Sequence, residues 1–143
     1  MASKTRIANE AWEALFRAQA TMARELIAGD VWGDLRPSDY GVLYALSGAP
    51  VGVRISELQE DVLLTQAGMS RLIGRLEARG LVERADDPED GRACRIRLTE
   101  AGAHMQRQVG ARHGRHVAEL MTRNLGRAEL VQLRDLCREL TSA

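Results

Sequence analysis

Apolar residues recur along this chain at two spacings, and the switches between them mark out its elements. From about Thr5 to Ala28, Ile7, Ala11, Trp12, Leu15, Met22 and Leu26 fall near one stripe at helical spacing. "GDVWGDLRPSD" follows as a connector. Its Pro37 suits the first turn of a second helix, and Asp39 places a carboxylate near that helix's positive end. Tyr40, Leu43 and Leu46 face inward there, and Gly48-Ala49-Pro50 stops the helix. "VGVRI" is long enough for one short strand of a small sheet. Ser56 then sets up a capping box with Gln59, opening a short helix that stops near Asp61 or Val62.

Thr65 offers another N-cap only a few residues later. Met69, Leu72, Ile73 and Leu76 follow at i, i+3, i+4 and i+7, which predicts a helix with one buried face, and Gly80 after Arg79 closes it. Two helices across so tight a turn form a helix-turn-helix. The period then changes to two. "LVERA" and "ACRIRL" read as strands of a hairpin joined by "DDPEDGR", with Cys94, Ile96 and Leu98 inward and Arg95 and Arg97 outward. Thr99 caps a long helix reaching about Arg123, weakened at Gly102, Gly110 and Gly114 by roughly 0.5–1 kcal/mol each against Ala. Asn124 and Gly126 break it, and Leu130, Leu133, Leu136, Cys137 and Leu140 give a final amphipathic helix. The expected fold is mainly α with a small β wing: a winged helix-turn-helix flanked by N- and C-terminal helices more apolar than a small central domain buries, and therefore expected to dimerise.

Composition narrows the chemistry. With 143 residues and 45% apolar content the chain suffices for one domain, and two Trp, two Tyr and one Phe leave a core of aliphatic residues. Lys and Arg number 20 against 20 Asp and Glu, which argues against an unspecific polyanion binder without excluding a local basic surface. From Thr65 to Leu98 the arginines 71, 75, 79, 84, 92, 95 and 97 face the acids 77, 83, 86, 87, 89 and 90, so affinity for DNA has to come from placement.

Cys94 and Cys137 are too few and too far apart for a zinc pattern or a disulfide scaffold, and read as small buried hydrophobes in a reducing compartment. "MASKTRIANEAWEALF" does not read as a secretory signal, and the apolar runs are too short to span a membrane. A cytoplasmic protein is expected. No phosphate loop, nucleophile elbow or histidine–carboxylate motif is present, so the chain reads as no enzyme, and no cofactor is expected. His113 and His116, three apart on one helix, lack an acidic or cysteine partner and read as surface residues, not a metal site.

At "LTQAGMSRLIGRLEARGLVER" followed by "DPEDGRACRIRLTEAG" the sequence resembles the MarR (multiple antibiotic resistance regulator) family of bacterial transcriptional regulators. Arg71-Leu72-Ile73, Arg75-Leu76-Glu77, Gly80-Leu81-Val82, Asp90-Gly91-Arg92 and Leu98-Thr99 stand where the family pattern has its recognition helix and wing. About 40 residues match specifically, and the remainder matches in order and length. Two positions depart from the pattern. Gly74 stands where the family usually has Asp, which removes a side-chain partner for Arg71 or Arg75, and Leu35-Arg36 replaces the usual Leu-Thr. The resemblance implies a single MarR-type domain over 1–143, with a DNA-binding lobe at 35–98 and dimerisation helices at 5–28 and 99–141. It also implies a homodimeric repressor of a pseudo-palindromic operator, relieved by a small aromatic or anionic effector.

By helix-turn-helix geometry the start of the second helix meets the bases of double-stranded DNA, which makes Thr65, Gln66, Ala67, Gly68, Ser70 and Arg71 candidates, with Thr65 the better cap than reader. Arg75 lies one turn on, and Arg79 reads as a solvated neighbour of Glu77. Arg92 at the wing tip suits the minor groove, Asp90 beside it orients the turn, and outward-facing Arg95 and Arg97 suit phosphates. Trp12, Phe16, Trp32, Tyr40 and His113 are the residues placed to approach an effector crevice, although large side chains in so aromatic-poor a chain are more often core. Two alternatives stand beside this reading: a winged-helix protein-interaction module without DNA contact, and a regulator that senses oxidants through cysteine.

Overall fold

The computed structural model describes residues 3–62 and 66–142, with the backbone alone for Asp61, Val62 and Gln66. The elements run α1 (Lys4–Ala28), α2 (Pro37–Ser47), β1 (Val53–Arg54), α3 (Ile55–Val62), α4 (Gln66–Ala78), β2 (Val82–Asp86), β3 (Cys94–Leu98), α5 (Glu100–Thr122) and α6 (Arg127–Thr141). The helices and the hairpin start and stop where the periodicity places them. Pro37 occupies the first turn of α2, and the Asp39 side chain accepts the Arg36 amide at 3.0 Å. Gly80 closes α4 with φ +73, a left-handed conformation that an L side chain rarely adopts.

One boundary differs. Ser56 lies inside α3, which begins at Ile55, so it does not stand at the expected N-cap position. The reason is that β1 ends at Arg54 and the chain turns directly from strand to helix. Thr65, the expected cap of α4, lies outside the described residues.

The chain divides into two compact units. The central unit, Asp30–Arg112, takes in the connector and the first half of α5 beyond the expected 35–98. Its core joins Leu43 and Leu46 of α2, Leu58 of α3, Met69, Leu72, Ile73 and Leu76 of α4, Ile96 of β3 and Val109 of α5, each at most 2% exposed. A three-stranded antiparallel sheet in the order β1-β3-β2 closes one side, with Val53 opposite Ile96 and Arg84 also opposite Ile96 across the hairpin. Gly52 permits the close crossing of β1 over β3, since a Cβ there would stand 2.9 Å from the Ile96 carbonyl oxygen.

The terminal unit, Met1–Gly29 with His113–Ala143, has a different character. Neither α1 nor α6 has a buried residue, while Ile7, Trp12, Phe16, Ile27, Leu136 and Leu140 are all more than half exposed. Trp12 and Phe16 are therefore not core, contrary to the usual fate of large side chains. A cleft of about 310 Å³ runs between α1, α5 and α6, lined by Leu15, Met22 and Leu26 against Met121, Leu133 and Cys137. Among the described residues no helix is long and apolar enough to cross a membrane.

Candidate nucleic-acid interface

Helix α4 buries Met69, Leu72, Ile73 and Leu76, and this fixes what the opposite face presents. Ala67, Ser70, Arg71 and Gly74 share an exposed stripe, with Gly68 half-buried beside it. Nothing lies within 4 Å of a Cβ built on Gly74, so the stripe is low and open at its middle. Gln66 begins the helix.

Ion pairs sort the arginines of this region into two groups. Arg75 reaches across to Asp39 of α2 at 3.1 Å, and Arg79 donates to the Asp34 carbonyl oxygen at 3.3 Å. Arg79 is thus held by the connector, not by Glu77, whose carboxylate pairs instead with Arg84 at 3.3 Å. Arg97 pairs across the hairpin with Glu83 at 2.8 Å, its register partner. Arg71 and Arg92 are exposed and make no ion pair among the described residues. They stand at the start of α4 and on the hairpin loop, the two places where a winged helix meets DNA.

Arg95 is a correction. Strand alternation turns it away from Ile96, yet its side chain is only 18% exposed. Nε lies 3.2 Å from Asp87 and Nη1 donates to the Gly52 carbonyl oxygen at 3.1 Å. At Arg95 the face opposite the core is covered by Asp87 of the wing loop and by Gly52 on the approach to β1, whereas Arg97 on the same face stays exposed. Arg75 likewise enters the interface region with one guanidinium nitrogen already committed to a carboxylate.

The wing is built around Asp87, which was legible in the sequence only as part of a polar loop. Its buried carboxylate accepts Arg54 Nε at 2.6 Å and the amides of Glu89 at 2.8 Å and Asp90 at 3.3 Å. Asp90 in turn accepts the Arg92 amide at 3.0 Å, so its side chain shapes the turn that carries Arg92. The Arg54 hydrogen bond, then the Glu89 amide, hold the Asp87 carboxyl well below the usual carboxylate range, outweighing the cost of burial. A lowered folded-state pKa contributes stability that is present above the unfolded value, about 3.9, and is lost as pH falls beneath it toward the folded value. Asp87→Asn is expected to flatten the acid limb of the stability curve below about pH 4 while lowering stability at neutral pH. Urea melts between pH 2 and 7 test this, and an acid limb as steep as that of the parent protein would assign the dependence elsewhere.

The five residues considered for an effector divide between the units. Trp32 and Tyr40 are core residues of the central unit, each 8% exposed, with ring centroids 5.6 Å apart. Trp12 and Phe16 lie on exposed α1 with centroids 6.3 Å apart. His113 is half-buried on α5, where burial and then neighbouring His116 push its pKa below the ordinary imidazole value. No group of three His, Cys, Asp or Glu among the described residues is placed to hold a metal ion. Cys94 packs against the central core and Cys137 lines the apolar cleft, both partly buried.

Residues 34–93 match the sequence model of the MarR family. The multiple antibiotic resistance protein MarR of Salmonella typhimurium is 29% identical over 84 residues, 59% of this chain, and the match spans 58% of that protein's length. Among solved structures, the PcaV transcriptional regulator of Streptomyces coelicolor in complex with its natural ligand superposes with a TM-score of 0.66 at 25% identity, covering 100% of this chain and 97% of that one. A mutant MarR of Escherichia coli complexed with operator DNA superposes with a TM-score of 0.76 at 21% identity, covering 99% and 100%, and shows the fold alone. The segment 34–93 is thus similar to the MarR family of transcriptional regulators, and the fold around it is similar to that of solved regulators of this kind.

Proposed function

We propose that the protein is a sequence-specific DNA-binding regulator that acts as a homodimeric repressor of a pseudo-palindromic operator. The observation that carries this reading is the sorting of the arginines. In a chain without net charge, internal partners hold Arg75, Arg79, Arg84, Arg95 and Arg97, whereas Arg71 and Arg92 are left without an acid among the described residues. Gln66, Ala67, Gly68, Ser70 and Arg71 meet base edges and phosphates in the major groove, and Arg92 enters the adjacent minor groove.

Two copies of the site act together, on half-sites roughly one helical turn, ~34 Å, apart. The exposed apolar residues of α1 and α6, with Trp12, Phe16, Leu136 and Leu140 foremost, supply a face for the partner copy. A small aromatic or anionic effector relieves repression by binding one spacing of the two recognition helices better than the other. The ligand complex of PcaV and the operator complex of MarR are the precedents within the fold. The protein works in the cytoplasm, where its DNA is.

Selection from a random duplex pool followed by a salt titration tests the reading. A regulator selects a palindrome and loses affinity steeply with salt. A protein-interaction module does neither, and that result would overturn the proposal.

A further inference from the structure

Arg71 and Arg75 occupy successive turns of α4, and Arg79 follows one turn on, just past its last residue. The last two are tied down, both to the chain that enters α2: Arg79 to the Asp34 carbonyl, Arg75 to the Asp39 carboxylate. Asp39 is 4% exposed, and among the described residues each of its oxygens has one hydrogen-bond partner. Oδ2 accepts the Arg36 amide at 3.0 Å, which fixes the first turn of α2, and Oδ1 accepts Arg75 Nη2 at 3.1 Å. Its neighbours Tyr40, Val42 and Leu43 are buried, so the carboxylate is carried on a rigid base. Gly74 gives Arg75 no side chain to lean on, and a Cβ there would meet nothing within 4 Å.

We propose that Asp39 and Arg75 are positioning residues for DNA recognition: their cross-helix ion pair sets the rotation of α4 about its buried face, and so the aim of Arg71 one turn away. This rests on the reading of α4 as the recognition helix. Burial of Met69, Leu72, Ile73 and Leu76 restrains α4 only to a broad stripe, because aliphatic contacts are non-directional. A hydrogen-bonded guanidinium–carboxylate pair has a direction. Removing either partner leaves the other with an unmatched charge in a half-covered place, and α4 is then free to roll by the play its apolar face allows. Arg75 therefore works through Arg71 and is not itself a phosphate contact.

The test uses the full-length protein, the palindrome it selects and a scrambled duplex of the same composition. Affinities for both are measured across a salt series for the parent protein, Arg75→Ala, Arg75→Lys and Asp39→Asn, with folding checked by circular dichroism. Arg75→Ala and Asp39→Asn are each expected to lower the ratio of specific to nonspecific affinity by roughly tenfold or more. The slope of log affinity against log salt is expected to stay that of the parent, and Arg75→Lys to recover most of the ratio. A slope smaller by about one unit per protomer in Arg75→Ala, with the ratio intact, would make Arg75 a phosphate contact and overturn the proposal. So would an unchanged ratio in Asp39→Asn, an isosteric change that decides the matter should Arg75→Ala fail to fold. A parent protein that selects no duplex removes the regulator reading itself, a result distinct from either.

Discussion

Arg71→Ala is expected to weaken binding to the selected duplex by roughly 1–3 kcal/mol per half-site and to relax discrimination at one position of that half-site. Arg71 is exposed on the second turn of α4 and holds no acid among the described residues, so its donors are available to a base edge without breaking an internal bond. A repeat of the duplex selection with the variant reads the lost position directly. If instead affinity falls evenly on every sequence and the salt slope shrinks by about one unit, Arg71 binds a phosphate. Arg92→Ala is expected to differ in kind. A guanidinium in the minor groove responds to groove width, so its loss should fall most heavily on duplexes with A·T-rich flanks. Arg97→Ala provides the contrast. Arg97 is 46% exposed and engaged by Glu83, and an exposed pair of that kind contributes about 0–1 kcal/mol to anything.

What the sequence made legible, and what it did not, follows the reach of each signal. The recognition helix was readable because Met69, Leu72, Ile73 and Leu76 repeat at the pitch of a helix, and Gly80 closes it within the same stretch. The hairpin was readable for the same reason, with turn residues between two short alternating runs. Alternation also turned Arg95 away from the core, correctly, but it says nothing of what covers the other face. That cover comes from Asp87, eight positions earlier, and from Gly52, much further off. Asp39 presented itself locally as a carboxylate at a helix N-terminus, which it is, while its bond to Arg75 spans 36 positions and leaves no local trace. Trp12 and Phe16 mislead in the opposite direction. Their size suggests burial, yet both stand more than half exposed on α1, because size alone does not say which face of a helix is covered.

Gly102→Ala is expected to destabilise the protein by about 3 kcal/mol, the upper end for an over-packed site. A Cβ on Gly102 would stand 1.9 Å from the Leu81 carbonyl oxygen and 2.8 Å from its carbon, and both are backbone atoms with nowhere to rotate. The same contact is stitched by hydrogen bonds. Thr99 N donates to the Leu81 oxygen at 3.1 Å, Thr99 Oγ1 donates to the Gly80 oxygen at 2.6 Å, and Gly102 N donates to Thr99 Oγ1 at 3.1 Å. Opening the gap enough for a methyl group strains all three. Residues 80 and 81 join α4 to β2, so the displaced segment is the one that relates recognition helix to wing, and DNA affinity should fall with stability. Gly114 on the same helix gives the internal control. Nothing lies within 4 Å of its Cβ position, so Gly114→Ala should stabilise by roughly 0.5–1 kcal/mol through helix propensity alone. One substitution type on one helix thus has opposite signs, and urea midpoints of the two variants decide it. A Gly102→Ala protein as stable as Gly114→Ala would mean that α5 does not press its first turn against Leu81.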